Sequence, residues 1–182
     1  MIVLGWWPAQ RQQATHNAEV VFTELWPENA RLTQIFEAYS QSLFGVRAFM
    51  ASHGETTRRD WRIYFQNLSI ARRLPGLGAL VYAEQVPRSQ KSAFEAAQQR
   101  DPLLIADGIT NFQIYPDENQ DVFQAITYME PPTYRNLRNS LGFDLSSEPN
   151  RRLAIEKART SNQVVTTPPV QLIGSEQPGY IL

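Results

Sequence analysis

From Ala18 onward, apolar residues recur at alternating steps of four and three, through Phe22, Leu25, Leu32, Phe36, Tyr39, Leu43, Val46 and Met50. This is a heptad seam, and it commits the stretch to helix. Asn29 stands where the seam needs an apolar member and Pro27 lies beside it, so the spacing predicts a helix kinked or restarted there. A seam of about 30 residues is on the order of 45 Å long at ~1.5 Å per residue, longer than most helices in compact domains. It predicts an element that projects or bridges. Two partners are open for the apolar face: the rest of its own chain, or a second copy in a dimeric stalk with Asn29 helping to set register.

Ahead of the seam, Met1 to Trp7 (MIVLGWW) reads either as the end of a hydrophobic segment closing on interfacial tryptophans, or as a short apolar terminus packed on the domain. No run of eighteen apolar residues exists, so no segment of the sequence spans a bilayer. Behind the seam, Trp61, Tyr64, Phe65, Leu68 and Ala71 share one face of a helix predicted over Thr57 to Ala71. Arg58, Arg59, Arg62, Arg72 and Arg73 flank it, and arginines spread along a helix read as a solvated face rather than an anion site. Pro75-Gly76-Leu77-Gly78 then turns the chain.

Beyond the turn the pattern changes to short strands, at Ala79 to Val86, Phe112 to Tyr115, Val122 to Met129, Gln163 to Thr167 and Gly179 to Leu182. Helices are predicted between them: Ser89 to Arg100 with a serine cap, Thr133 to Leu141, and one opened by Ser147-Glu148-Pro149 that runs to about Ser161. Their irregular alternation is not that of a doubly wound sheet. The expected class is α+β, an antiparallel sheet fronted by helices.

Composition excludes several kinds of function. Seventeen basic against eighteen acidic residues give a net charge of −1 without like-charge blocks, which argues against a nucleic-acid partner. The absence of cysteine removes disulfides, thiolate metal sites and thiol nucleophiles. His16 and His53 lack neighbouring ligand patterns, so no metal site is expected. Asp117-Glu118 sits in a polar turn and reads as solvated carboxylates, and no nucleophile–base pair can be assembled. Neither a catalytic residue nor a cofactor is expected.

A series of motifs runs in fixed order through the second half: Ile126-Thr127-Tyr128-Met129-Glu130-Pro131, Leu141-Gly142-Phe143-Asp144, Arg151-Arg152 to Ala158-Arg159, Val164-Val165-Thr166-Thr167, then Gly179. With Phe44-Gly45-Val46 to Phe49 and the Pro75-Gly76-Leu77 turn upstream, this sequence resembles the CHASE domain, the extracellular sensor of histidine kinases and nucleotide cyclases. The resemblance runs from about Leu32 to the end and is tightest from Tyr128 onward. It implies a membrane-proximal segment (1–16), a long helical stalk with a second helix (17–74), and a PAS-like ligand-binding domain (75–182). A fragment of a longer receptor is expected, cut before the family's membrane-proximal subdomain. The parent would be a membrane-anchored histidine kinase or diguanylate cyclase, a homodimer through its stalk, with this portion periplasmic or extracellular.

The resemblance also nominates contacts for a small-molecule ligand. In the cytokinin-receptor members a buried aspartate binds the adenine moiety, and the matching residue is Asp144. An aspartate before a helical turn serves equally well as its cap. Thr166 corresponds to the strand that gives main-chain contacts, and Ser175 lies in the loop beyond it. By their period-two placement on strands facing the same cleft, rather than by the resemblance, Tyr128 and Leu172 are walls of that cleft or members of the core. The alternative function is a protein–protein module for a periplasmic partner.

Overall fold

The computed structural model describes residues 26–68, 79–118, 120–130, 139–173 and 178–182. Met1 to Trp7, seam members Ala18, Phe22 and Leu25, the Pro75 to Gly78 turn, residues 133–138 of a predicted helix, and Ser175 lie outside them. Contacts divide the chain into two units, Met1–Val46 and Arg47–Leu182.

Helix α1 spans Trp26–His53. Its 28 residues extend about 42 Å at ~1.5 Å per residue. Pro27 is its second residue, where a missing N–H removes no helical hydrogen bond, so the predicted break falls at the N-terminal end. No side chain of residues 33–53 is fully buried, and seam member Phe36 is 43% exposed.

After a turn at Gly54, helix α2 covers Arg58–Leu68. A reciprocal cap opens it: the Thr57 hydroxyl donates to Asp60 Oδ2 at 2.6 Å, and Asp60 N donates back to Thr57 Oγ1 at 3.2 Å.

Strands β1 (Leu80–Pro87) and β2 (Val122–Glu130) pair antiparallel. A bulge shifts the register between Tyr82 and Ala83, so that Tyr82 faces Tyr128 while Ala83 faces Ile126. Thr127 is thereby left without an opposite residue. The main chain of Gly142 to Asp144 continues the layer: Gly142 N donates to Ile126 O at 2.8 Å, and Ile126 N to Phe143 O at 3.0 Å. Its other edge takes the predicted strand at Phe112 to Tyr115, which forms no regular ladder and pairs only around Tyr115, through Tyr115 N to Gly142 O (3.0 Å) and Asp144 N to Tyr115 O (2.7 Å).

Beneath this layer lies the core, built from Val86, Leu104, Ile109, Phe112, Ile114, Phe123, Ala125, Ile126, Met129 and Leu141. Helices α3 (Lys91–Gln99) and α4 (Pro102–Ala106) connect the two halves of the sheet. The expected serine cap is corrected: Ser89 lies inside a 3₁₀ turn, Arg88–Gln90, because the chain coils directly after Pro87 ends β1. Helix α5 (Pro149–Ser161) matches its predicted span, with Glu148 rather than Ser147 as its cap.

The predicted strand Gln163 to Thr167 is also corrected to an irregular loop. Pro168 and Pro169 lack backbone donors, so the ladder starts only beyond them, where β3 (Val170–Gln171) pairs with β4 (Pro178–Gly179). Of the strand expected over Gly179 to Leu182, only Gly179 joins that ladder; Ile181 O instead accepts from Thr167 N at 2.9 Å. Mixed helix and antiparallel sheet make the fold α+β.

Candidate functional site

Asp144 ends the segment that extends the sheet, and it is fully buried. A buried carboxylate must find donors, and this one finds them within its own chain. Oδ1 accepts from Gln124 N at 2.7 Å, Ser146 N at 3.1 Å and Ser146 Oγ at 2.7 Å. Oδ2 accepts from the Gln120 side-chain amide. The carboxylate therefore caps the 3₁₀ turn Leu145–Ser147 and clamps it to β2.

Tyr128 lies elsewhere, under α2. Its ring stacks on Tyr82 at 5.5 Å and meets Trp61 at 6.0 Å, and its hydroxyl donates to Thr56 O at 2.9 Å. Burial, with help from Glu84, pushes its pKa up to about 12. Around this cluster the arginines of α2 fasten helix to sheet. Arg58 is buried and donates to Asp101 Oδ2 (2.7 Å), Gln98 Oε1 (2.8 Å) and Thr127 O (2.7 Å), the carbonyl turned toward it by the bulge. Arg62 reaches Asp107 at 2.7 Å and Glu130 at 3.0 Å. The solvated face expected from sequence is thus realised at Arg59 but not at Arg58 or Arg62, since each of these reaches carboxylates some 40 residues or more away in sequence, beyond local pattern. The acid pair's turn is anchored as well, with Asp117 3.0 Å from Arg88.

A cleft of about 610 Å³ opens where α5 begins beside β3. Phe143, Pro169, Val170, Leu172 and Ile173 make it largely apolar, while Glu148, Asn150, Arg151 and Gln171 supply polar groups. Leu172 lines it, its side chain lying over the bare backbone of Gly179. Phe143 is the neighbour of the Asp144 clamp. Tyr128 and Thr166 are not among the lining residues.

Arg151 is legible in the sequence only as part of the motif series, not as a site residue. It is 4% exposed, its Nη2 donates to Gln171 O at 2.6 Å, and its guanidinium carbon sits 5.1 Å over the Phe143 ring. Burial pushes its pKa down, against the opposing pull of Glu148. A signal was present: a basic residue in the first turn of a helix opposes the macrodipole, which marks it as held there for another reason.

No described residues form a group of acids, histidines or cysteines able to hold a metal, and no described helix is long and apolar enough to cross a membrane. Curated proteins yield no match to the chain. The family model for the CHASE domain matches residues 54–182, which takes in α2, the sheet, the Asp144 clamp and the cleft. On that match over most of its length, the chain belongs to the CHASE family, the extracellular, non-catalytic sensor domains of signalling proteins.

Proposed function

We propose that this domain binds a small molecule on the outer side of the cytoplasmic membrane and passes the event through α1 to a histidine kinase or diguanylate cyclase in the same parent protein. One observation carries the reading. Helix α5 has the cleft at its first turn and a contact to the stalk at its last: Asn162, its left-handed C-cap, accepts from Arg47 Nη1 at 2.8 Å. A ligand that shifts the start of this 13-residue helix moves its far end, about 20 Å away at ~1.5 Å per residue, against α1.

A second contact, the Phe49 and Tyr64 rings stacked at 4.3 Å, ties α1 to α2 and hence to the sheet. Signalling then requires that the ligand favour one of two packings of these contacts. Among the residues nominated from sequence, Leu172 lines the cleft and would contact a ligand there. Asp144 supports its Phe143 wall. A homodimer through the α1 seam completes the proposal.

A thermal-shift screen of the full chain against adenine derivatives, amino acids, organic acids and short peptides tests the reading. Sensing predicts that at least one class raises the melting temperature and alters the mobility of a spin label near Arg47. A screen in which nothing binds, beside a periplasmic protein captured with micromolar affinity, would replace sensing with partner docking.

A further inference from the structure

Arg58 and Arg151, the two buried arginines among the described residues, are treated differently. Arg58 spreads its donors over a carboxylate, an amide and a carbonyl. Arg151 is as deeply buried, yet its Nε has no hydrogen-bond partner, and no carboxylate stands within ion-pair distance of it among the described residues. Its Nη2 donates to a main-chain oxygen, that of Gln171. A buried guanidinium with a donor left unbonded and no carboxylate in ion-pair contact is costly. Sites that take a charge from outside retain it.

The surroundings specify that charge. Glu148, an acid whose charge acts on Arg151, is committed to the helix cap, its two oxygens accepting from Asn150 N (3.0 Å) and Arg151 N (2.9 Å). It also borders the cleft, which disfavours a dianion such as phosphate. The remaining lining is mostly apolar, and Phe143 holds the guanidinium plane in place through its ring face.

We infer that the cleft is a site for a small monocarboxylic acid, in which Arg151 receives the carboxylate while Phe143, Val170, Leu172 and Ile173 enclose the hydrocarbon body. This rests on the sensor reading and specifies its ligand class. A guanidinium is well suited to a carboxylate, since two parallel N–H donors meet two oxygens.

Calorimetric titration of the full chain with sodium hexanoate and sodium phenylacetate, beside hexanamide and phenylacetamide, tests it. The acids are expected to bind at least tenfold more tightly than the amides, and to shift the NMR resonance of the Arg151 Nε–H group. R151Q should lose the preference and R151K keep part of it. The acid-to-amide comparison needs only wild-type protein, so a variant that fails to fold does not remove the test. Equal binding of acids and amides, no binding of either acid, or undiminished acid binding by a folded R151Q overturns the inference. If adenine derivatives bind while both acids fail, sensing stands and this ligand class falls; if the acids bind without altering a spin label near Arg47, the carboxylate site stands and signalling through α1 falls.

Discussion

At the scale of single residues, the Asp144 carboxylate decides how the segment between β2 and α5 is held. Replacing it by alanine strands two backbone donors, Gln124 N and Ser146 N, in a buried setting. D144A is expected to lower unfolding free energy by roughly 2–4 kcal/mol in urea denaturation, and D144N by less, because an amide oxygen still accepts from both. Tyr128 supplies a pH signature. Its folded pKa of about 12 lies above the ordinary 10.0, so its contribution is fully present below pH 10 and lost as pH rises toward 12, where the unfolded chain ionises first. The loss is on the order of 2 kcal/mol after allowance for solvent screening. Denaturation at pH 9 and pH 11.5 should show it for wild type, and Y128F should lose less stability over the same interval.

At the scale of elements, Gly142 fixes the register of the sheet's extension. Its φ is +80°, and a Cβ there would collide with the backbone carbonyl of Gln113 across the pairing. Gly54, between α1 and α2, has a similar φ of +65° with nothing within 4 Å. The two substitutions separate strain from collision. G54A is expected to cost about 1 kcal/mol. G142A should cost several times more in chemical denaturation and weaken amide protection at Ile126 and Tyr115, since one of the two paired backbones must move. The same logic explains the shortened predicted strands: β propensity at Gln163 to Thr167 was legible, but ladder formation also needs donors, and two prolines follow.

At the scale of the whole molecule, the heptad seam leads to an expected oligomer. Phe36 keeps 43% of its surface exposed, and Tyr39, Leu43, Val46 and Met50 are half-buried. In sedimentation equilibrium the chain is expected to associate to a dimer. F36D should shift it toward monomer by tenfold or more in dissociation constant, because a charge in a seam loses packing and is desolvated. Its thermal unfolding at a concentration where both proteins are monomeric should stay close to wild type. A chain that stays monomeric at high concentration would remove the dimeric stalk from the proposal while leaving the cleft untouched.

Local pattern determined much of this protein. The seam and Pro27 placed α1, apolar periodicity placed α2, β-rich composition placed β1 and β2, and Glu148-Pro149 placed the start of α5, because each signal acts within a few residues of where it is read. The ordered motifs identified the family for the same reason. What lay beyond reach depended on partners distant in sequence. Arg58 and Arg62 look like surface arginines until Asp101, Asp107 and Glu130 arrive beside them. Asp144 is a ligand contact or a cap by its motif alone, and the fold surrounds its oxygens with the chain's own donors. Tyr128 and Leu172, both nominated as cleft walls, are separated by which element covers each, α2 over the first and β4 beside the second. Burial and hydrogen bonding are properties of a neighbourhood, and only the folded chain assembles the one in which Arg151 stands buried with its Nε unbonded among the described residues.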